Sequence, residues 1–324
     1  MSQHYDILGI GNAIMDVIAS VDDQFLGDHD IAKGGMTLID ENRAIALTKA
    51  VASANPTEIA GGSGANTIVG AAMLGAKTAY LGLVYNDRMG NRFIDGLEDA
   101  GVSYNVPPAD RGLATARCLI MVTADGERSM NTFLGASTDF SSAQLDSGAI
   151  KRSKLIYLEG YLFDTDKAKA AFVKAAEIAK AEGHKVALTL SDSFCVDRHR
   201  GSFKHLIEHH VDVLFANEAE IISLYETDFD NAIKTLATLD VIAAVTRSEK
   251  GSIIVNGRDQ HVVDAVAIDK VVDTTGAGDQ YAAGFLVGYS QGKDLATCGQ
   301  WGSICAAEVI SHFGARPASF VTLS

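Results

Sequence analysis

The 324-residue chain contains no run of 18 consecutive apolar residues, although 47% of its residues are hydrophobic. A helix needs about 20 mainly apolar residues to cross a bilayer, so the sequence predicts no transmembrane helix, and its net negative charge argues against an anionic membrane as a partner. The first residues also lack the regions of a signal peptide, and they lead directly into a strand pattern. We therefore expect a globular, cytoplasmic protein.

Cysteine and positive charge are both scarce. The four cysteines show no C-x-x-C spacing, which predicts reduced thiols rather than a disulfide or zinc framework. Lysine and arginine number 27 against 41 acidic residues, which gives a formal net charge of -14. Such a surface repels nucleic acid, so the composition favours a small-molecule ligand.

Two common nucleotide-binding motifs are absent. The P-loop pattern G-x-x-x-x-G-K-[ST] does not occur. The opening run Gly9-Ile10-Gly11-Asn12 lacks the third glycine of a dinucleotide fingerprint, since Ile14 stands in its place, which argues against a Rossmann oxidoreductase. Asn12 and Asp16 are side chains that suit the hydroxyls of a sugar. The alternative is that they are an exposed turn amide and a solvated strand acid.

A zinc-protease pattern, H-x-x-E-H, occurs from His205 to His209, and helical spacing would put both histidines on one face. Leu206 and Ile207 mark the buried side of that helix. The acids that follow, Glu218 and Glu220, belong to a strand end rather than to a ligand helix. We interpret the segment as a polar, solvated helix face.

The most informative segment runs from Asp273 to Asp279 (DTTGAGD), after the alternating apolar run Val262 to Val272 and before a predicted helix, Gln280 to Gln291. A strand that passes through a glycine-rich turn into a helix leaves unpaired N–H groups, which attract phosphate oxygens. A carboxylate at that position repels phosphate unless it accepts a proton, so we predict that Asp279 is the base of a phosphoryl transfer. The plainer interpretation is a tight turn followed by a first-turn acid.

A second small-residue segment, Gly61 to Thr67 (GGSGANT), precedes a predicted helix. Its glycines allow close approach of the backbone, and Asn66 on the first turn can present its amide to a ligand hydroxyl.

Strands alternate with helices from Lys154 onward, which predicts a parallel sheet with helices on both faces. Ligands of such sheets bind at the carboxyl ends of the strands, where Asn217 to Glu220 falls. The segments Ala114 to Val122 and Arg128 to Leu134 predict a hairpin. Together with the strand patterns Met15 to Val21 and Met36 to Ile39, the hairpin predicts a small second sheet.

These motifs resemble the ribokinase (PfkB-type) family of carbohydrate and nucleoside kinases, over nearly the whole chain. DTTGAGD is similar to the C-terminal signature of that family, and G-G-x-x-x-N is similar to its N-terminal signature. The resemblance implies an α/β, ribokinase-like fold, with a central mostly parallel sheet flanked by helices and a small β-sheet lid. By this resemblance, the core covers approximately residues 1–11, 41–112 and 136–324, and the lid approximately residues 12–40 and 113–135.

The resemblance also implies roles for single residues. Asp279 would take the proton, and Arg128 would close from the lid on the transferring phosphoryl group; alternatively, Arg128 is an ordinary edge-strand arginine. The remaining catalytic groups would be Gly276, Ala277 and Gly278. ATP would be bound by Asn217, Thr246, Ser248, Gly251 and Thr275.

Two metal sites are implied in the same way. Asn217 and Glu220, in the pattern N-x-x-E, would organise Mg²⁺ through water, although the same residues also read as a helix N-cap. A monovalent cation, K⁺, would be ringed by Asp273, Thr275, Val309, His312 and Gly314.

The runs Gly11 to Asp16 and Val21 to Leu26 are similar to the adenosine kinases of the family. Ribose would be held by Asn12, Asp16, Gly62, Ser63 and Asn66. A purine slot would be lined by Met36, Leu38, Leu119, Met130, Thr132 and Tyr161. Met36 stands where the animal adenosine kinases carry a glutamine, and Thr132 to Ala136 is similar to bacterial sugar kinases.

The expected reaction is ATP-dependent phosphorylation of the 5'-hydroxyl of adenosine to AMP, as in purine salvage. The alternatives are a fructose or ribose kinase, an inosine or guanosine kinase, and a nucleoside-sensing protein without chemistry. The sequence leaves open whether the protein is a monomer or a homodimer.

Overall fold

The computed structural model describes residues 4–319 and 321–323, and within them the chain forms fourteen strands and eleven α-helices. The strands are β1 (Tyr5–Ile10), β2 (Ile14–Ser20), β3 (Met36–Leu38), β4 (Thr57–Gly61), β5 (Thr78–Leu81), β6 (Val102–Tyr104), β7 (Ala116–Val122), β8 (Arg128–Phe133), β9 (Ser153–Glu159), β10 (Lys185–Thr189), β11 (Val213–Asn217), β12 (Ile242–Thr246), β13 (Ser252–Asn256) and β14 (Asp259–Val263). The helices are α1 (Asp23–Asp28), α2 (Glu41–Ala50), α3 (Ser63–Met73), α4 (Arg88–Glu98), α5 (Ser147–Lys151), α6 (Asp166–Ala181), α7 (Ser193–His210), α8 (Glu218–Tyr225), α9 (Phe229–Leu236), α10 (Ala277–Ser290) and α11 (Leu295–Val309). None of these helices combines the length and the apolar composition that a bilayer crossing requires.

The larger sheet has nine strands in the order β14-β13-β12-β11-β10-β9-β1-β5-β6. The strands from β12 to β6 in this order run parallel, and β13 and β14 add an antiparallel edge. Residues Leu155 to Leu158 of β9 are all 1% exposed or less, because helices cover both faces of the sheet. The predicted α/β fold with a mostly parallel sheet is confirmed.

The smaller sheet has five strands in the order β3-β8-β7-β2-β4. The predicted hairpin of β7 and β8 is present, with Thr123 N–H donating to the Glu127 carbonyl across the turn. β4 was not predicted from the sequence; it pairs antiparallel with β2 and immediately precedes α3. In most strands the apolar side chains are the buried ones. In β4 the apolar Ile59 is exposed and the charged Glu58 is half-buried, so the sequence pattern did not predict a strand here.

The expectation of a strand from Val262 to Val272 was wrong. β14 ends at Val263, and the chain is irregular from there to α10. Val262 and Val271 are 70% and 53% exposed, so the apolar alternation faces solvent instead of a sheet. The Val272 N–H donates to the Ile310 carbonyl at 2.8 Å, which fixes the segment against the end of α11. DTTGAGD is therefore a loop-to-helix junction.

Close packing of α3 against α10 brings the two sequence signatures together. A Cβ added at Gly70 of α3 would lie 3.0 Å from the Ala283 Cβ of α10, so the glycine allows the helices to approach. At the N-terminal ends, Ser63 Oγ donates to Asp279 Oδ1 at 2.6 Å, across 216 positions of sequence.

An aromatic cluster joins α6 and α7 to the turn that follows β9. Phe163 and Phe203 stack with ring centroids 4.8 Å apart, and Phe172 lies 5.5 Å from Phe163. All three side chains are 2% exposed or less. We expect Phe203→Ala to lower the free energy of unfolding by about 3–5 kcal/mol, because it leaves a cavity in a packed core. Urea denaturation measures the change.

Phe313→Ala is the matched control, because the Phe313 side chain is 71% exposed and its loss leaves no cavity. Equal stabilities for the Phe203→Ala variant and this control would contradict the packing described here.

Candidate active site

The N-terminus of α10 forms the centre of the site. Gly276 precedes it with φ of 81°, and a Cβ there would lie 2.5 Å from the Ala315 carbonyl oxygen, so only glycine fits. The Ala277 N–H already donates to the Thr274 carbonyl at 3.2 Å. Among the described residues, no carbonyl pairs with the N–H groups of Gly278 and Asp279. These two donors are therefore free to bind an anion at the positive end of the helix.

Asp279 lies at this helix start and faces the N-terminus of α3. Its carboxylate accepts a hydrogen bond from Ser63 Oγ at 2.6 Å and another from the Asn66 side chain. Desolvation raises the pKa of Asp279 to about 6, although these two bonds act to lower it. The carboxylate is ionised at neutral pH and has a pKa close enough to accept a proton efficiently.

A cavity of about 280 Å³ opens in front of this helix start. It is lined by the DTTGAGD loop and by the carboxyl ends of β10, β11 and β12, where α/β sheets usually bind ligands. Asn217 and Thr246, both predicted to bind ATP, lie on its wall. Ser248 and Gly251, predicted with them, lie in the following turn and are not part of the wall.

Tyr161 was predicted to line the purine slot, but it lies on the wall of this same cavity. It follows β9 of the large sheet, and its hydroxyl donates to the Ser191 carbonyl at 3.3 Å. Tyr161 is thus grouped with the predicted nucleotide residues and not with the small sheet.

Asn217 and Glu220 form a reciprocal cap at the start of α8. The Asn217 N–H donates to Glu220 Oε2 at 3.0 Å, and the Glu220 N–H donates to Asn217 Oδ1 at 2.9 Å. Glu220 is 4% exposed, and burial raises its pKa to about 7.

Within the described residues, no group of three or more His, Cys, Asp or Glu is arranged to hold a metal. One carboxylate and one amide on the cavity wall fit Mg²⁺ that is held mainly by phosphate oxygens and water. A water-mediated role for this pair stays a prediction.

Arg128 makes an ion pair with Asp273, with Nη1 and Oδ2 2.6 Å apart and side-chain exposures of 16% and 5%. Asp273 also accepts bonds from Thr275 N–H and Oγ1 and from the Gly314 N–H. Burial acts to raise the pKa of Asp273, but these bonds and the charge of Arg128 hold it below its ordinary value. The pair joins the small sheet to the loop before α10, and a contact of Arg128 with a phosphoryl group stays a prediction.

The predicted K⁺ residues come partly together. Asp273 links Thr275 and Gly314 through the bonds described above, while Val309 ends α11 and His312 follows it. Because Asp273 accepts from four donors, its carboxylate is already satisfied. The cation site stays a prediction.

Two of the predicted acceptor residues, Ser63 and Asn66, hydrogen-bond Asp279. Asn66 contacts it directly, and Asp16 is close enough for the two charges to interact. Gly62 has φ of 90°, which lets the chain turn into α3. Burial raises the pKa of Asp16 to about 7, while Arg316 and Arg128 act to lower it.

Four of the residues predicted for the purine slot share one face of the small sheet. Met36 of β3 pairs with Met130 of β8, and Leu38 pairs with Thr132. On the other side of β8, Thr132 pairs with Cys118 of β7, which in turn pairs with Asp16 of β2. Since side chains alternate along strands, these residues project from the same face.

Leu119 was wrongly assigned to that slot. It is one position from Cys118 in β7, so it projects from the opposite face, where it is fully buried in the main core. Cys118 and Ile120 occupy the slot-facing positions of β7, in a separate apolar cluster with Ile14.

Three residues of the site, Glu159, Tyr80 and Arg316, were not predicted from the sequence. Glu159, which ends β9, is 1% exposed and accepts a bond from the Asn12 N–H at 2.5 Å. The Tyr80 hydroxyl donates to the Asn12 carbonyl at 2.9 Å, so both residues hold the first turn in place. An acid at the end of an apolar strand was a signal for Glu159; no local pattern pointed to Arg316.

A free helix N-terminus beside an acid that contacts two predicted acceptor residues suits the transfer of a phosphoryl group to a hydroxyl group. The chain matches the family described as pfkB family carbohydrate kinase over residues 29–321, and it belongs to that family. The protein is therefore a nucleoside or sugar kinase, whose family uses ATP and typically Mg²⁺.

Solved structures extend the comparison. The adenosine kinase of Sinorhizobium meliloti is 46% identical, with a TM-score of 0.90, and the match covers 98% of this chain and 97% of that one. A probable sugar kinase protein of Rhizobium etli CFN 42 is 45% identical, with a TM-score of 0.91 and the same coverage. Among curated proteins, the adenosine kinase of Saccharomyces cerevisiae is 27% identical over 94% of each chain.

The buried carboxyl group of Glu159 predicts a pH-dependent stability. Burial raises its pKa to about 8, although the Asn12 N–H acts to lower it. An unfolded glutamate titrates near about 4.3, so the folded state binds an extra proton between these values, and stability is lost as pH rises through them. Between about pH 5 and pH 8, the free energy of unfolding of wild type should fall by on the order of a few kcal/mol because of Glu159. We expect Glu159→Gln to remove this fall.

Urea denaturation across that pH range provides the measurement, with Glu98→Gln at an exposed position of α4 as the control. If Glu159→Gln and Glu98→Gln gave the same slope of stability against pH, the carboxyl group of Glu159 would not have the raised pKa.

Proposed function

We propose that the protein transfers the γ-phosphoryl group of ATP to the 5'-hydroxyl of adenosine and so produces AMP and ADP. The observation that carries this proposal is the position of Asp279. It lies between the free N–H groups of α10 and the two residues of the N-terminal signature, Ser63 and Asn66, that donate to it. A hydroxyl held by the signature residues would thus lie beside both a base and an anion site.

In this reaction Asp279 takes the proton of the acceptor hydroxyl as the oxygen forms its bond to the γ-phosphorus. The bond from that phosphorus to the bridging oxygen breaks, and ADP leaves with the bonding electrons. The N–H groups of Gly278 and Asp279 stabilise the charge on the phosphoryl oxygens. Mg²⁺, bound with the nucleotide, would neutralise phosphate charge, and Asn217 and Glu220 would orient its waters.

Two observations favour adenosine. The small-sheet face formed by Met36, Leu38 and Met130 offers apolar surface next to Asp16, which suits a flat base joined to a ribose. The relative from Sinorhizobium meliloti, which covers nearly the whole chain at 46% identity, is named an adenosine kinase.

A sugar kinase is the second candidate. Met36 and Leu38 are 37% and 41% exposed, so the slot is open enough for other acceptors. The Rhizobium etli relative, named a probable sugar kinase, is as similar to this chain as the adenosine kinase is.

A coupled ADP-release assay with adenosine, inosine, guanosine, ribose and fructose tests the acceptor. We expect adenosine to have the highest kcat/KM by about tenfold or more, which corresponds to about 1.4 kcal/mol of selective binding. A higher value for ribose or fructose would assign the protein as a sugar kinase. Calorimetric binding of adenosine without ADP formation would identify a nucleoside sensor.

The role of Asp279 is tested by Asp279→Asn, which keeps the size of the side chain but removes the base. We expect kcat to fall by about a hundredfold or more, with a much smaller change in KM for ATP. Asp110→Asn, at a side chain that is 86% exposed, should leave kcat unchanged. An Asp279→Asn enzyme with nearly wild-type turnover would remove Asp279 from the mechanism.

A further inference from the structure

The turn that follows α11 brings an arginine into the acceptor site. Arg316 Nε donates to Asn66 Oδ1 at 3.1 Å, although the two residues are 250 positions apart. The Asn66 side chain also hydrogen-bonds Asp279. An ionised carboxylate only accepts, so the amide nitrogen of Asn66 must face Asp279 while its oxygen faces Arg316. Arg316 therefore sets the orientation of an amide that contacts the base.

The turn itself is fixed to both signature helices. Gln280 Nε2, in the first turn of α10, donates to the Asn66 carbonyl at 3.1 Å and to the Ala315 carbonyl at 3.0 Å. Arg316 is therefore held in place by its backbone as well as by its side chain.

Part of the Arg316 guanidinium group has nothing to bind. Its Nη2 is buried and has no hydrogen-bond partner among the described residues, and the same is true of Asn12 Nδ2. A buried donor without a partner costs free energy, more so when the group is charged. Burial lowers the pKa of Arg316 to about 10, with Asp16 acting against the change, so the group remains charged at neutral pH.

Asp16 supplies the matching acceptor. Among the charged groups near Asp16, Arg316 has the largest effect on the pKa of Asp16. The two side chains nevertheless form no direct ion pair among the described contacts. No described side chain donates to the Asp16 carboxylate either. The two groups have opposite charges and interact electrostatically without a direct bond among the described contacts, which suits a ligand hydroxyl that accepts from Arg316 and donates to Asp16.

We propose that Arg316 is a further acceptor-specificity residue, whose free guanidinium N–H binds a hydroxyl oxygen of the acceptor while that hydroxyl donates to Asp16. Nε holds the Asn66 amide at the same time. The inference rests on the proposed function only in requiring a hydroxylated acceptor, either a nucleoside or a sugar.

A thermodynamic cycle tests the direct contact. Wild type, Arg316→Met and Arg316→Lys are assayed with the acceptor that wild type phosphorylates best and with its analogues lacking one hydroxyl each. We expect Arg316→Met to raise KM for the acceptor about tenfold or more, with KM for ATP changed less than about twofold, as for the loss of a charged hydrogen bond. Arg316→Lys keeps the charge and should recover part of the loss.

The deciding comparison uses the deoxy analogue that wild type binds least well. If Arg316 binds the missing hydroxyl, the effects of removing the hydroxyl and of removing the guanidinium group are not additive, and Arg316→Met gains less affinity from that hydroxyl than wild type does, because only the bond to Asp16 is left. Additive losses would overturn the inference. Arg111→Met, at a side chain that is 92% exposed, serves as the matched control and should behave as wild type.

If the Arg316 variants lose turnover, calorimetry still measures how tightly they bind the same acceptors. Their melting temperatures show whether they remain folded. Adenosine failing as an acceptor while a sugar succeeds would reject the proposed function, and the cycle would then be run on deoxy sugars. Unchanged acceptor affinity in both folded Arg316 variants would reject the inference alone.

Discussion

A carboxylate held beside the positive end of a helix is the arrangement on which the rest of this structure depends. The N–H groups of Gly278 and Asp279 attract an anion, while the Asp279 carboxylate repels one. The two are compatible because Ser63 and Asn66 donate to the carboxylate and orient it toward the N-terminus of α3. The close packing of α3 against α10 thus holds the Asp279 carboxylate beside the free N–H groups of α10.

Titratable groups of both signs are buried around this point. Asp16, Glu159 and Asp279 all lie near the acceptor residues, and burial raises the pKa of each. Arg128 and Arg316 supply the opposite charge from the small sheet and from the C-terminal turn. Because Arg128 is bound to Asp273 of the DTTGAGD loop, an ion pair joins the small sheet to the loop before α10. Parts of the chain that are far apart in sequence therefore meet through charge.

The sequence was most informative where function and local geometry coincide. The glycine-rich turns beside Asp279 and Asn66 are local patterns with a geometric reason, and the structure brings these two segments together. Patterns without a local constraint were less reliable. The apolar alternation from Val262 to Val272 faces solvent, and Leu119, which was predicted to line the purine slot, is one position away from the residues of β7 that face it. Arg316 was missed because its contacts with Asn66 depend on how α11 packs, which no local pattern encodes.

The pH dependence of kcat/KM for the acceptor tests the role of Asp279 most directly. Only the ionised form of Asp279 accepts a proton, and desolvation raises its pKa to about 6. We predict a plateau at high pH, a fall that begins near pH 7, where the Asp16 carboxylate is protonated, and a steeper fall below about pH 6, where Asp279 is protonated as well. A kcat/KM that stays constant between about pH 5 and pH 8, in an enzyme shown to remain folded, would contradict this role.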